Sequence, residues 1–436
     1  MLRRTRYRWV IIFLLFFITV VNYIDRSAAS YAASDFIKEF HINAAVLGGV
    51  LGVFSIGYMI TTFFGGIWVD RAGARWVLTI SSIVWSIAMG WTGLATSLTT
   101  LYLARWLLGL AEGPNFPAMN RAVGDWLSKR ERAIALSNSL VAVPIALAIG
   151  APIVTQLLIH TSWRTTFIIL GIVGLIWVPV WFLLFRDFPE HSRRVNRLEL
   201  EHIRDGEQVK SGSDKEMRKQ QRQSVKGIWK FLLTNPTLLA NDWAFFVFGY
   251  YLFFFMTWLP QYLGRVYHLK LGSIGLFAIL PWSLAAILLY GLGYLSDRVL
   301  KKTGSLRKAR SHPIWISQLL AAICILPIIY THTLWVAILF ISLAVGFGMS
   351  SNSTFYAINV DVAAERTGTA LGVMDTFFAI SGFVAPWITG VVVHATGHFT
   401  DAFWLLFILA LTSVLAVLLF HHPDKQKTLK ERSELN

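Results

Sequence analysis

Residues 10–30 read VIIFLLFFITVVNYIDRSAAS, and this stretch decides what kind of molecule the chain folds into. A helix of about 20 residues rises about 30 Å, the thickness of a bilayer's hydrocarbon core. Only helices and closed barrels satisfy their backbone in lipid, and an unbroken apolar run rejects the alternation of a barrel strand. The run is too long for a removed signal peptide and lacks a small-residue cleavage pattern, so it is read as a retained first helix. Near its end stand Asp25 and Arg26. An ionised side chain at mid-bilayer costs roughly 2.5–3.5 kcal/mol, and charges kept there line a polar route or pair with one another.

Similar apolar segments recur along the chain, at about 9–31, 44–68, 76–96, 100–122, 133–160, 165–185, 233–262, 271–296, 312–331, 334–358, 367–392 and 400–420. With 55% hydrophobic and only 14% charged residues over 436 positions, no soluble core accounts for them. The expected fold is an all-α polytopic membrane protein of twelve transmembrane helices in two six-helix bundles. The one extended polar stretch, 186–230, divides the chain into residues 1–188, an N-terminal bundle, 189–230, a linker, and 231–436, a C-terminal bundle. Within the linker, LELEHIRD (198–205) reads either as a short amphipathic helix on the membrane surface or as part of a solvated linker.

The formal charge of +15 reports topology rather than nucleic-acid binding. Arg3, Arg4, Arg6 and Arg8 precede the first span, Arg71 and Arg75 follow the second, and Lys129, Arg130 and Arg132 follow the fourth. The segments 186–230 and 298–310 and the tail from Lys425 are basic, whereas the alternate loops TSLTT, THT and HATGHFT are nearly neutral. By the positive-inside rule, both termini and the linker face the cytoplasm. The lone cysteine, Cys324, excludes an intrachain disulfide and a multi-cysteine metal site, and the eleven histidines show no metal-ligand spacing. No cofactor, metal or enzyme nucleophile is expected, and the chain is expected to act as a monomer in contact with the lipid bilayer.

Two segments echo each other. GGIWVDRAGAR (65–75) follows the second span and GLGYLSDRVLKKTGSLRKAR (291–310) follows the eighth, both containing G-x-x-x-D-R. Gly66, Asp70 and Arg71 match Gly293, Asp297 and Arg298. Internal repeats of this kind put a binding site at their interface near the midplane, reached alternately from either side. One reading makes these residues, with Arg75, gates, the glycines permitting close helix approach and the aspartates bonding across the seam. The other makes them topogenic loops with a packing glycine.

Two further charges, Arg105 and Glu112, lie in LYLARWLLGLAEGPNF. Seven residues apart, they share nearly one helix face but stand about 10 Å apart along the axis. They are an anion anchor and a proton carrier, an internal ion pair, or, for Arg105, a side chain snorkelling to the membrane edge. Asp25 and Arg26, being adjacent, diverge by about 100°. Arginine's planar fork suits a carboxylate ligand, and Asp25 suits proton exchange, unless the two form a structural pair ending the first helix. Tyr58, Trp258 and Tyr262 are packing or interfacial aromatics by composition alone.

The chain resembles the major facilitator superfamily, over essentially its whole length, through its six-plus-six spans and the GGIWVDRAGAR segment. YIDRSAAS (23–30), RWLLGLAEGPNFPAMNRAVGDWLSKRERAIA (105–135) and TWLPQYL (257–263) are similar to its anion:cation symporter family, which includes bacterial hexonate and D-galactonate-type proton symporters and phthalate and vesicular glutamate carriers. The resemblance implies a multi-pass protein of the bacterial inner membrane that imports a small organic anion, a sugar acid or related carboxylate, with protons. It implies substrate contacts for Arg26 and Tyr58, anion recognition or gating for Arg105, a place for Trp258 in the wall of the substrate site or its gate, and proton coupling for Asp25 and Glu112. Carriers of polycarboxylates, siderophores or aromatic acids and proton-driven exporters share the architecture. The sequence departs from the galactonate-type pattern at Val143, where a glutamine is expected, and at Asp375, where an asparagine is expected. Asp375 is placed among the substrate contacts: it binds a substrate amine, carries a proton or pairs with a cation. Asp242 and Asn359 carry no family role.

Overall fold

The computed structural model describes residues 4–204, 228–363 and 367–424. Among these residues it is helical throughout, with no strand. Eleven helices are long and apolar enough to cross a membrane. The twelfth crossing is the fourth, which is broken into Leu98–Glu112 and Asn115–Trp126, each too short to count alone. The sequence gives the reason. Pro114 and Pro117 lack the N–H groups that would bond to the carbonyls of Leu110 and Gly113, four residues earlier. The side-chain hydroxyl of Thr62 donates instead to the Gly113 carbonyl at 3.2 Å, so a neighbouring helix meets one of the freed groups.

The second and third spans run as one helical stretch, Ala44–Gly93, reversed at Gly73, whose φ of 78° favours glycine. A side chain there would also strike the Asp187 carboxyl, which accepts the Arg75 backbone N–H at 2.9 Å. The tenth crossing is likewise divided, into Leu334–Ser350 and Asn352–Ala363.

The two six-helix bundles meet along three seams: the second span against the eleventh (Thr367–Thr396), the fifth (Lys129–His160) against the eighth (Leu271–Thr303), and the first (Tyr7–Tyr31) against the seventh (Pro236–Val266). Shifting each number by six maps the first seam onto the second and the third onto itself. The packing therefore obeys the two-fold repeat that the G-x-x-x-D-R echo implies.

The closest approaches between the bundles lie toward the face opposite the termini. Gly48 and Gly52 abut the Pro386 and Phe383 carbonyls, Gly275 abuts Thr155, and Gln261 donates to Ser34 at 3.0 Å. At the face bearing the termini the bundles are not tied by the repeated aspartates. Asp70 pairs with Arg121 at 3.2 Å and Asp297 with Arg310 at 2.9 Å, each within its own bundle, and their side chains are 72% and 65% exposed.

Two expectations are corrected here. Gly66 has nothing within 4 Å of where a side chain would begin; Gly65 is the packing glycine, against Pro114 and Pro117. The segment from Leu198 does not float as a solvated linker. It forms the helix Arg197–Arg204, docked on the first bundle by Glu199, which is fully buried. Glu199 pairs with Arg8 at 3.0 Å and accepts from the Thr5 hydroxyl and the Tyr7 backbone. Arg8 also reaches Glu131 at 3.0 Å. Residue 205 and those to 227, the rest of the expected linker, lie outside the described residues.

Candidate functional site

The second and fourth spans touch backbone to backbone. Gly109 and Gly113 form a small-x-x-x-small pair whose missing side chains would collide with the Phe54 carbonyl and with Thr61. That approach brings Phe54 and Tyr58, one turn apart and stacked at 5.9 Å, against the face that carries Glu112. The first span closes the group with Arg26.

Arg26 donates through Nε to Glu112 Oε2 at 2.7 Å, with both side chains all but excluded from solvent. The guanidinium sits 4.5 Å from the Tyr58 ring centroid and 4.7 Å from those of Tyr23 and Phe54. Three rings and one carboxylate thus compensate a cation in a place where water would otherwise be needed. Its Nη1 and Nη2 nevertheless have no hydrogen-bond partner, nor has Glu112 Oε1. An arginine held by one edge, with its terminal fork unmet, presents the geometry that binds both oxygens of a carboxylate.

The remaining charges gather around this pair. Arg105 is 2% exposed, so it does not snorkel; its Nη2 approaches the Arg26 carbonyl at 3.5 Å, while Nε and Nη1 are unmet. It does not pair with Glu112, whose partner comes from another helix. Asp25 diverges from Arg26 as adjacency requires. It is fully buried, neither oxygen has a partner, and it lies within electrostatic reach of Arg105 and Glu112. Asn22 and Asn115 add two buried side-chain amides without partners. Such groups are normally satisfied in native proteins, so their concentration at one spot makes it the candidate site.

The second bundle faces this group with a different chemistry. The Tyr356 hydroxyl donates to Asp375 Oδ1 at 3.1 Å. Tyr23 and Tyr58 lie within electrostatic reach of both Arg26 and Asp375. Asp242 is 3% exposed, has Oδ1 unmet and feels the charge of Asp375. Asn359 donates to the Phe355 carbonyl and to Met374, as does Asn241, so Asn359 ties the tenth span to the eleventh and Asn241 ties the seventh to both.

A sequence model described as the Major Facilitator Superfamily matches residues 15–386 and 304–435. The chain belongs to the Major Facilitator Superfamily. As a member it is a transporter, and its twelve crossings are that fold. Among curated proteins it is 31% identical to a hexuronate transporter of Bacillus subtilis, covering 95% of this chain and 94% of that one. It is 30% identical to a "Probable galactarate/D-glucarate transporter" of the same organism, over 99% and 96%. A "Probable sulfoacetate transporter" of Cupriavidus necator is also 30% identical, over 92% and 90%. In fold it resembles the crystal structure of a D-xylose-proton symporter, with a TM-score of 0.74 over 95% of this chain and 98% of that one, at 13% identity.

Of the residues singled out in this superfamily member's sequence, Asp25, Arg26, Tyr58, Arg105 and Glu112 come together, and Asp375 faces them. Trp258 does not join them: its indole N–H donates to the Pro386 carbonyl at 3.1 Å and its ring packs on Phe399. Arg75 grips the Phe182 carbonyl at 2.7 Å, a bond within the first bundle. Tyr23, Phe54, Asn22, Asn115 and Tyr356 were not anticipated. Tyr23 carried a signal, since it stands three residues before Arg26 on one helix face. Tyr356 carried none, because its link to Asp375 crosses two spans.

Proposed function

We propose that the chain imports a small organic anion, a sugar acid or a related carboxylate, together with protons, by alternating access. The observation that carries this reading is the Arg26–Glu112 pair with the Arg26 terminal fork unmet. The names of the relatives, all transporters of carboxylates or a sulfonated carboxylate, support the substrate class.

The pair supplies a coupling scheme. While Glu112 is ionised it neutralises Arg26 and weakens its hold on an incoming anion. A proton on Glu112 removes that competition, so protonation favours capture of the substrate carboxylate by Arg26, with Arg105 adding positive potential. When the substrate leaves, Arg26 returns to Glu112 and the proton is expelled. Asp25 exchanges a second proton. Each net positive charge carried inward gains about 2.3 kcal/mol per 100 mV, so a monoanion needs more than one proton for the membrane potential to help. Asp25 and Glu112 together meet that requirement.

In this reading the protein lies in the bacterial inner membrane as a monomer with both termini in the cytoplasm. The bundles, packed toward the face opposite the termini, are then in an inward-facing state. The pairs Asp70–Arg121 and Asp297–Arg310, with Arg71, Arg75 and Arg298 nearby in the two repeats, belong to the cytoplasmic gate.

The test is uptake into proteoliposomes under an imposed proton gradient, against a panel of sugar acids, aromatic acids and polycarboxylates. Arg26→Ala is expected to abolish substrate binding. Glu112→Gln is expected to keep substrate exchange at equal concentrations and to lose gradient-driven accumulation. Full accumulation by Glu112→Gln would move proton coupling elsewhere, and unchanged affinity in Arg26→Ala would remove the anchor.

A further inference from the structure

We propose that the transported carboxylate also carries a protonated amine, and that Asp375 with Tyr356 forms the amine subsite. This inference rests on the preceding reading of Arg26 as the anion anchor and deepens it.

The site is bipolar. Its first-bundle end holds two arginines against two carboxylates, Asp25 and Glu112, so its formal charges balance. Its second-bundle end holds Asp375 and Asp242 within reach of each other, and among the described residues neither has a cationic partner. The arginines, lysines and histidines described in spans seven, eight, ten and eleven stand near helix ends, at Arg265, Arg298, Lys301, Lys302 and His394. Two carboxylates facing a poorly solvated seam require a positive charge or a proton to neutralise them. Asp242, almost wholly buried with Oδ1 unmet, is a second and independent sign that a positive partner is missing from the protein itself.

The surroundings favour an ammonium over a row of hydroxyls. Tyr356 stands edge-on to Phe245 at 5.6 Å, and Phe245 stacks with Phe378 at 5.3 Å. On the opposite bundle Tyr23 and Tyr58 complete the approach. A carboxylate bonded to a tyrosine that itself packs in an aromatic cluster suits a cation, which a ring face attracts by its quadrupole. Val143, by contrast, is a buried apolar side chain with no hydrogen bond to offer a hydroxyl. Tyr23 and Tyr58, within reach of both Arg26 and Asp375, put the two ends close enough for one guest to bridge, carboxylate on the guanidinium fork and amine on Asp375.

The experiment is calorimetric titration of the purified full chain at pH 7 with matched ω-amino and ω-hydroxy acids of equal length, and with D-gluconate against 2-amino-2-deoxy-D-gluconate. The aminated member of at least one pair is expected to bind about tenfold more tightly, the ratio that one hydrogen bond between charged groups supplies. Asp375→Asn should reduce that preference to within about twofold. Equal or weaker binding of every aminated member to the unmodified protein overturns the inference, and needs no variant to show it. A preference that survives Asp375→Asn overturns the assignment of the subsite. If hydroxy acids bind and aminated ones do not, only this inference fails; if no carboxylate of either kind binds, the anion-anchor reading fails with it.

Discussion

In the first bundle Arg26 and Glu112 meet at 2.7 Å inside a ring of aromatics, and Arg8 is held by Glu131 and Glu199 at 3.0 Å each. In the second bundle Asp375 has a tyrosine for a partner and Asp242 has an unmet oxygen. At the facing site the halves differ: the first sets two arginines among its carboxylates, although Asp25 has both oxygens unmet, whereas Asp375 and Asp242 of the second have no cationic partner among the described residues. Where a buried charge is compensated inside the protein, removing one partner strands the other in low dielectric. Where it is not compensated, we assign that task to the substrate, and under that proposal the contrast separates a charge pair that exchanges partners during transport from a charge that waits for one.

The largest expected effect tests the compensated side. Arg26→Ala should lower thermal stability by about 3–5 kcal/mol, because Glu112 is left buried and unpaired. Replacing both, as Arg26→Met with Glu112→Leu, should recover most of that loss while binding remains absent. Thermal unfolding of the single and double variants in one detergent checks this, and no recovery in the double variant would mean the pair is not the stabilising unit.

A smaller effect belongs to the docked helix Arg197–Arg204. Glu199→Gln should cost about 1–3 kcal/mol of local stability, through the weakened bond to Arg8, and raise amide exchange across residues 197–204. Acid should act likewise. Burial by itself would raise the Glu131 and Glu199 carboxyls, but hydrogen bonds prevail, led by that of Arg8 for Glu131, and hold both below the usual range, Glu131 at about 2. A depressed carboxyl contributes its full stability above its unfolded value and loses it as pH falls. The helix should therefore loosen progressively as pH drops from roughly 4.5 toward 2. Exchange that stays flat over that window would remove the carboxylates from the latch.

The smallest effect is the most discriminating between the halves. Asp375→Asn should change stability by no more than about 1 kcal/mol, since the amide oxygen still accepts from Tyr356 and no cation is stranded. A loss as large as that of Arg26→Ala would reveal a hidden positive partner and erase the difference between the halves.

Much of the molecule was legible in order of chemistry. Long apolar runs read as spans because lipid leaves the backbone no alternative to helix. The break in the fourth span was written in Pro114 and Pro117, yet the apolar run around them reads as continuous until the missing N–H groups are counted. Glu199 was hidden for another reason: LELEHIRD has the composition of a solvated helix, and nothing local shows that Arg8, far away in sequence, will bury the first of its two glutamates at 0% exposure. Tyr58 was placed through the resemblance, whereas Tyr23 and Phe54 waited for the helices to be packed.

The order of residues was enough to establish a twelve-span helical membrane protein and to single out Asp25, Arg26, Arg105, Glu112 and Asp375 as the candidates for its working residues. A charge in hydrocarbon is costly whatever the fold, so such residues stand out in the bare chain. Which charge meets which was settled by tertiary packing alone. Arg105 shares a helix with Glu112, but two turns of rise hold them apart, and the close approach of the second and fourth spans at Gly109 and Gly113 builds the pocket into which Arg26 reaches from the first. Periodicity fixes the face of a helix; the partner across a seam depends on how closely two backbones can approach.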